Sequence, residues 1–370
     1  MSLTERSSKD AGASGEPYDL LNEARSLRER LASDPALVAR ARQLGTFTIL
    51  GRVLLALSDC GFYEYLRANP RFREGDAIAR LRLVPAVFGA LVSYLVGLQY
   101  LERDADGFLR VTPTGEDVFN VYTRGVVNMY IAAYAPIFEN LGAALTGAVP
   151  LGDPSLARSP VHTSSGTSYL TCGFTIPAVL EILERRNCRH ILDLGCGSGD
   201  FLVQVLRLWP QAQGVGLDMA PEPLERARFL ANAFGVGDRA TFHCAAVGRD
   251  KLALSDDVLA TVEVVTAMYM LHEFGRDGRE AVIDVVRALR AALPGRLLVA
   301  LEVEGGDPTA LAHSADGHKG KLDYWLIHAL SGQGLPRGVH DWIDLFEAAG
   351  CSMESEPTKT GGSYIYQVRL

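Results

Sequence analysis

The sequence lacks the features of a disulfide scaffold, an all-cysteine zinc site and a membrane protein. Its six cysteines are scattered, and no two of them form a C-x-x-C pair, so we expect reduced thiols. No stretch reaches the ~18 uninterrupted apolar residues of a membrane span, and the amino-terminal MSLTERSSKDAGASGEP has no apolar signal core. These absences predict a cytoplasmic protein that has no membrane partner.

The sequence also has fewer positively charged residues than negatively charged ones. Lys and Arg number 36 against 44 Asp and Glu, which gives a formal net charge of -8. Proteins whose main task is to cover a phosphate backbone need clustered Lys and Arg. The charge balance therefore argues against a nucleic-acid partner.

The chain has 370 residues, more than the roughly 150 of a common domain, so at least two compact units are expected. Its 48% hydrophobic content is that of an ordinary globular protein. Composition and hydrophobic spacing divide the chain into parts of different character. These are a disordered tail (1–17), a mainly α-helical winged-helix domain (18–120), a helical linker (121–164) and an α/β domain (165–370).

The winged-helix prediction rests on helical apolar spacing that is followed by a hairpin. Apolar residues recur every three or four positions over residues 84–98, and two short apolar runs flank a turn at Asp106 and Gly107. A DNA-recognition helix needs cationic side chains, but no Lys or Arg occurs between Arg82 and Arg103. We therefore predict that this helix packs into a core or a subunit interface. A DNA-binding regulator is the less favoured interpretation.

The strongest local signal is ILDLGCGSGDF, in which Asp193 closes a buried strand and Gly195, Gly197 and Gly199 open the next helix. Glycines let the backbone approach a ligand closely, and the amino end of a helix offers free N–H groups. Asp218 ends the next strand 19 residues after Gly199. This is close to the ~20-residue spacing at which an acid meets ribose hydroxyls in nucleotide-binding α/β units. An acid at the start of the loop suits a cationic ligand without phosphate.

At these residues the chain resembles the class I S-adenosylmethionine-dependent methyltransferases, and the resemblance covers roughly 165–370. It implies a Rossmann-like seven-stranded sheet, S-adenosyl-L-methionine as methyl donor, and a homodimer formed through the winged-helix domain. One departure is HCAAVGRD after the third strand, which lacks the acid that often meets the adenine. The residues expected to border the donor are Tyr169, Asp193, Gly195, Cys196, Gly197, Gly199, Asp218, Met219, Ala245 and Ala246.

Two chemistries are open for the acceptor. AMYMLHEFG places His272 and Glu273 at the carboxyl edge of the fourth strand, where open α/β folds bind ligands. This region resembles plant-like and polyketide O-methyltransferases, in which His272 would be the general base that deprotonates a hydroxyl. YWLIHALSGQGLP places His328 ahead of a G-x-x-L-P stretch. It resembles the metal-dependent 2-oxo-acid C-methyltransferases of bacterial natural-product pathways.

The second resemblance implies that His272, Glu273 and His328 are catalytic residues that hold one divalent metal ion, zinc or iron. Two imidazoles and a carboxylate leave positions open for the carboxylate and keto oxygens of a 2-oxo acid. A Lewis acid stabilises the enolate oxygen, so the neighbouring carbon can lose its proton near neutral pH and attack the methyl group. We therefore favour methylation of the β-carbon of a small 2-oxo acid over O-methylation of an aromatic natural product.

The residue that binds the acceptor carboxylate is not evident from sequence. Residues 164–174, which some 2-oxo-acid relatives use for this purpose, contain no Lys or Arg. The metal alone, or Lys319, Lys321 or Arg337, could take this role. Aromatic, indolic, branched aliphatic and guanidino side chains all remain open for the acceptor.

Overall fold

The computed structural model describes residues 20–248, 252–312 and 319–370. The predicted disordered tail, residues 1–17, lies outside the described part of the chain. The chain divides into two compact units, with the boundary between Arg52 and Val53. The boundaries predicted after residues 120 and 164 stay predictions.

Helices and a small antiparallel sheet form the amino-terminal region. Its helices are α1 (Leu20–Ser33), α2 (Leu37–Asp59), α3 (Phe62–Ala68), α4 (Glu74–Leu81) and α5 (Pro85–Gly97). Its strands, in the sheet order β1-β3-β2, are β1 (Arg71–Phe72), β2 (Leu101–Arg103) and β3 (Leu109–Val111). Because β2 and β3 pair antiparallel on either side of Asp106 and Gly107, the predicted hairpin is confirmed.

Helix α5 occupies the position of the predicted apolar helix. Pro85 lies in its first turn, where the missing N–H would have no helical partner in any case. Phe88, Val92 and Leu95 are buried at the three- and four-residue spacing of one helical face. The helix therefore packs into a core, which agrees with its lack of charged side chains.

Residues 113–185 are mainly helical, with a break before Pro160. The elements are α6 (Pro113–Glu116), α7 (Val121–Val126), a π-helix (Val127–Ala133), α8 (Ala135–Glu139), α9 (Leu141–Leu145), a 3-10 helix (Pro154–Leu156), α10 (Pro160–Thr171) and α11 (Thr175–Arg185). Tyr134 and Leu156 belong to a buried apolar cluster that also contains Ile327. This cluster joins the middle of the chain to a much later helix.

The carboxyl-terminal region contains a mixed sheet. Its strands are β4 (His190–Leu194), β5 (Gln213–Asp218), β6 (Ala240–Cys244), β7 (Val264–Met268), β8 (Leu297–Val303), β9 (Ser352–Met353), β10 (Thr358–Thr360) and β11 (Ser363–Arg369). Within the described residues, seven strands lie side by side in the order β10-β11-β8-β7-β4-β5-β6, and β9 pairs with β11. Strands β4 to β8 are parallel, whereas β11 is antiparallel to β8. The predicted Rossmann-like seven-stranded sheet, preceded by a helical region, is confirmed.

Helices cover both faces of this sheet. The helices of this region are α12 (Asp200–Leu208), α13 (Pro221–Ala233), α14 (Asp256–Thr261), a 3-10 helix (Leu271–Asp277), α15 (Arg279–Ala292), α16 (Pro308–Ala312), α17 (Lys319–Ser331) and α18 (Val339–Ala348). Successive side chains of β8 alternate between the two faces. Leu298 therefore packs in the same core as Trp342 of α18, and Val299 packs with Phe201 of α12.

The strand order reverses beside β4, because β5 and β6 extend to one side of it and β7 and β8 to the other. In open α/β sheets such a reversal leaves a crevice at the carboxyl ends of the strands. Gly195 follows β4, Asp218 ends β5, and His272 lies in the 3-10 helix after β7. The fold thus places Gly195, Asp218 and His272 at the same edge of the sheet.

In the described ranges, no single helix is both long and apolar enough to cross a membrane. Two bent pairs of consecutive helices meet that test together, by length and composition only.

Candidate active site

A loop with three glycines joins β4 to α12. Gly195, Gly197 and Gly199 have φ angles of 66°, 52° and 70°, in the left-handed region that glycine adopts without steric penalty. The N–H of Gly195 donates to the carbonyl oxygen of Leu217 at 2.8 Å, which ties the loop to the end of β5. A Cβ atom on Gly197 would overlap the hydroxyl of Ser164 on α10. The loop is therefore clamped between β5 and α10.

Asp218 ends β5 and faces this loop. Its Oδ2 atom accepts the N–H of Gly197 at 2.8 Å, and its Oδ1 atom accepts that of Ala220 at 2.9 Å. A carboxylate has further lone pairs for hydroxyl donors. The N–H of Ala245, just after β6, donates to the carbonyl oxygen of Asp218 at 2.9 Å. Three strand ends thus meet here, and the roles of these residues in donor binding stay predictions.

The other residues expected near the donor differ in exposure. Tyr169 lies on α10, and the guanidinium of Arg124 is 4.7 Å from the centre of its ring. The remaining ones are buried Cys196 and exposed Met219 and Ala246.

Asp193 is almost completely buried at the end of β4, next to the glycine loop. Its Oδ1 atom accepts the hydroxyl of Thr266 at 2.6 Å. Burial raises the pKa of Asp193, the hydrogen bond from Thr266 lowers it and the nearby charge of Asp218 raises it, so the net pKa is about 7. A cationic ligand in this place would favour the ionised carboxylate.

His272 is paired with a carboxylate from the neighbouring strand. Its Nδ1 atom lies 2.7 Å from Oε2 of Glu302 on β8, and its backbone N–H donates to Oε1 of the same residue at 3.2 Å. Both side chains are only 2% exposed. Burial lowers the pKa of His272, but the carboxylates of Glu302 and Glu273 together outweigh burial, so the pKa lies above its ordinary value. Sequence reasoning missed Glu302, although an acid inside the apolar strand LLVALEV is a signal in itself.

His328, on α17, meets His272 directly. The Nε2 atoms of the two rings are 3.2 Å apart. The Nδ1 atom of His328 donates to the carbonyl oxygen of Tyr324 at 2.7 Å, since a carbonyl can only accept. Burial holds the pKa of His328 well below its ordinary value, and His272 lowers it further. The structure therefore brings together two predicted site residues that are far apart in sequence.

Glu273 lies beside the histidines but is held by other partners. Its Oε1 atom is 3.9 Å from Nε2 of His272. The same oxygen accepts from Arg158 at 2.7 Å and from Nε2 of Gln333 at 2.7 Å. Burial raises the pKa of Glu273, but Arg158 and His272 outweigh burial and the net shift is downward. As they stand, no three or more His, Cys, Asp or Glu side chains of the described residues form a metal site.

Arg158 is the site cation that sequence reasoning missed. Its position in a Pro- and Ser-rich break gave no signal of function. Of the cations expected to bind an acceptor carboxylate, Lys321 forms an ion pair with Glu304 at 2.6 Å. Arg337 lies against Gly275, and the side chain of Lys319 falls outside the described residues.

Residues 191–292 match the family described as "Methyltransferase domain", which covers the glycine loop, Asp218 and His272. These residues form a methyltransferase domain, which supports S-adenosylmethionine as the methyl donor. The chain is 25% identical to the 2-ketoarginine methyltransferase of Streptomyces arginensis over 310 residues, 81% of this chain and 85% of that protein. It is 31% identical to the phenazine O-methyltransferase PhzM of Lysobacter antibioticus over 194 residues, 51% of this chain and 50% of that protein.

Solved methyltransferase structures share the fold of this methyltransferase. The human N-acetylserotonin methyltransferase in complex with S-adenosylmethionine has a TM-score of 0.63 at 17% identity, over 96% of this chain and 99% of that chain. The structure of LaPhzM also has a TM-score of 0.63, at 18% identity, over 90% of this chain and 99% of that chain. At these identities the likeness shows a shared fold.

We expect donor affinity to depend on the ionisation of Asp193. The carboxylate form attracts the cationic donor, so affinity should be full above about pH 7 and fall about tenfold per unit of pH below it. Asp193→Asn should weaken binding about tenfold or more at pH 8 and remove this pH dependence. Titration calorimetry of both proteins from pH 6 to 8 measures the effect. The same pH slope in both proteins would contradict the assignment.

Gly334 packs against the backbone of the 3-10 helix that contains His272. A Cβ atom on Gly334 would overlap the carbonyl oxygen of His272, so Gly334→Ala should displace this segment and lower kcat about 100-fold. Donor affinity should be unchanged, because the glycine loop is on other strands. Gly320→Ala on α17, where a Cβ atom has nothing within 4 Å, is the matched control. Equal kcat in the two variants would show that the contact has no bearing on the reaction.

Proposed function

We propose that this methyltransferase transfers the methyl group of S-adenosylmethionine to the β-carbon of a small 2-oxo acid. His272, Glu273 and His328 would hold a divalent cation, zinc or iron, that assists the reaction. The observation that carries this proposal is the 3.2 Å separation of the two histidine Nε2 atoms. We further propose a role in natural-product biosynthesis.

The two histidine rings can present Nε2 lone pairs to a cation because each ring uses its Nδ1–H group in another hydrogen bond. Nδ1 of His272 donates to Glu302, and Nδ1 of His328 donates to the carbonyl of Tyr324. The two Nε2 atoms face each other across 3.2 Å, so a proton held between them as an N–H···N hydrogen bond, or a cation that replaces this proton, would satisfy both lone pairs. Metal–nitrogen bonds of about 2.0–2.1 Å place adjacent nitrogens roughly 3 Å apart. Glu273 would complete the set once it turns from Arg158.

The residues around the two histidines would orient the metal-binding rings and exclude water from the site. Glu302 fixes the tautomer and the direction of the His272 ring, as second-sphere carboxylates do for ligating histidines. Burial of both histidines keeps competing water out of the site. When bound, a divalent cation supplies Lewis acidity that stabilises the enolate oxygen of the acceptor. The β-carbon can then attack the sulfonium methyl carbon as its bond to sulfur breaks.

One relative supports this proposal by its name. The Streptomyces relative, which is aligned over most of both chains, acts by its name on a 2-keto acid. Other relatives are named for oxygen acceptors, which leaves the acceptor to be decided by the site. The facing imidazoles are the feature that favours the 2-oxo acid here.

A second candidate is O-methylation of an aromatic natural product, with His272 as general base and no metal. The observation in its favour is the His272–Glu302 pair, because a carboxylate on Nδ1 raises the basicity of Nε2. The phenazine O-methyltransferase is one of the relatives with this chemistry in its name. Against it, Nε2 of His272 faces another imidazole instead of an open acceptor position.

We also propose a homodimer formed through the winged-helix domain, residues 18–120. Leu44, Phe47 and Ile49 of α2 are large apolar side chains with more than half of their surface exposed. Apolar surface of this kind is stabilised when a partner removes it from water. Light scattering on the purified protein would test the dimer, and a monomer at micromolar concentration would contradict it.

We expect the purified protein to contain about one zinc or iron ion and to methylate 2-oxo acids but not phenols. His328→Ala should lose the metal, and turnover should fall by more than the ~10–100-fold effect of losing an outer-sphere partner. Elemental analysis and a labelled-donor assay with a panel of 2-oxo acids and phenols give both results. His340→Ala, an exposed histidine on α18, should behave as wild type. Metal-free protein that methylates phenols with undiminished activity after chelation would contradict the proposal and favour the second candidate.

A further inference from the structure

Arg158 and Glu273 form an ion pair at the edge of the histidine site. The two side chains are only 30% and 24% exposed, and the guanidinium lies 2.7 Å from Oε1 of Glu273. That oxygen also accepts from Gln333. The carboxylate proposed as a metal ligand is therefore already neutralised by a cation of the chain.

A divalent cation and Arg158 would compete for this one carboxylate. Arg158 contacts Oε1 of Glu273 at 2.7 Å, and this oxygen is 3.9 Å from Nε2 of His272. A positive ion at the histidine Nε2 atoms would therefore lie close to the guanidinium and be repelled by it. A second negative charge between the two cations would remove this conflict, and the carboxylate of a 2-oxo acid is such a charge.

The ion pair of Arg158 with Glu273 belongs to a wider polar network. The hydroxyl of Tyr134 donates to Oε1 of Gln333 at 3.0 Å, and Nε2 of Gln333 donates to the carboxylate that pairs with Arg158. A guanidinium has five N–H donors in a planar fork that matches a carboxylate. If Glu273 turned toward the histidines, the N–H groups of Arg158 that it now occupies would be free for another carboxylate.

We propose that Arg158 is the binding residue for the acceptor carboxylate, and that a divalent cation makes it available by drawing Glu273 away. This inference rests on the proposed function and specifies its substrate class as anionic acceptors. Binding of the cation and binding of the acceptor would then favour each other, because both favour the state in which Glu273 has left Arg158. Such coupling is reciprocal: each ligand raises the affinity of the other by the same factor.

A purely structural ion pair makes the opposite prediction for the metal. If Arg158 only braces Glu273 as a ligand, its loss should weaken metal binding and acceptor binding together. If Arg158 competes for Glu273, its loss should strengthen metal binding while it weakens acceptor binding. The direction of the change in metal affinity therefore distinguishes an Arg158 that braces Glu273 from one that competes for it.

The test is Arg158→Gln in the full chain with S-adenosylhomocysteine bound. Zinc affinity, measured without acceptor by competition with a chromophoric chelator, should rise about tenfold, within the 5–150-fold range of common couplings. The preference in kcat/KM for a 2-oxo acid over its amide should fall about 30-fold or more, mainly through KM. Arg158→Lys, which keeps the charge but loses the fork, should retain wild-type zinc affinity and lose part of the preference.

Arg276→Gln is the matched control, because Arg276 is exposed in the same 3-10 helix as Glu273 and its loss changes the net charge equally. Both measurements should stay at wild-type values in this variant. Weaker zinc binding in Arg158→Gln, or an unchanged preference for the acid over the amide, would overturn the inference while leaving the proposed function intact. Failure of the proposed function has another signature, since wild-type protein would then bind no zinc or methylate no 2-oxo acid, and the inference would fall with it.

Discussion

The hydrogen bonds between His272 and Glu302 set the direction in which the His272 ring points. One carboxylate accepts both the ring Nδ1–H and the backbone N–H of the same residue. This double contact fixes the tautomer, the ring plane and the backbone that carries the ring. It also links the segment after β7 to the adjacent strand β8, so the imidazole is supported by the sheet. Everything proposed for the acceptor depends on where that leaves Nε2.

The acceptor half of the site is assembled from segments that are distant in the chain. Arg158 comes from the break before α10, His272 and Glu273 from the 3-10 helix after β7, and His328 and Gln333 from α17 and the loop after it. The apolar cluster that contains Tyr134 and Ile327 holds the first and last of these segments together. Packing of apolar side chains therefore positions the polar groups, as is usual when a buried polar network must be satisfied.

The donor half has a different construction. The glycine loop and Asp218 belong to consecutive β-α-β elements, and the bonds between them close over a short stretch of sequence. Such a unit can stay unchanged while the acceptor half varies. This agrees with relatives that are named for different acceptors, 2-ketoarginine in one and a phenazine in another. The fold indicates the donor, and only the side chains around the histidines indicate the acceptor.

Sequence alone determined the features that depend on local spacing. The hairpin, the apolar helix α5, the parallel strands and the meeting of Asp218 with the glycine loop all follow from periodicity, turn residues and a fixed offset. The pairing of His272 with His328 was also expected, but through resemblance and not through spacing. The metal itself stays a proposal.

Tertiary structure decided which charges meet at the site. Glu302 stood in an apolar strand and Arg158 in an irregular break, and neither has a partner within reach in sequence. Their roles depend on strand order and on how the middle helices pack against α17. These are long-range contacts, whose formation reflects the burial of many apolar side chains at once. Local sequence patterns do not show which long-range contacts form. The ion pair of Arg158 with Glu273 could therefore be found only in the folded chain.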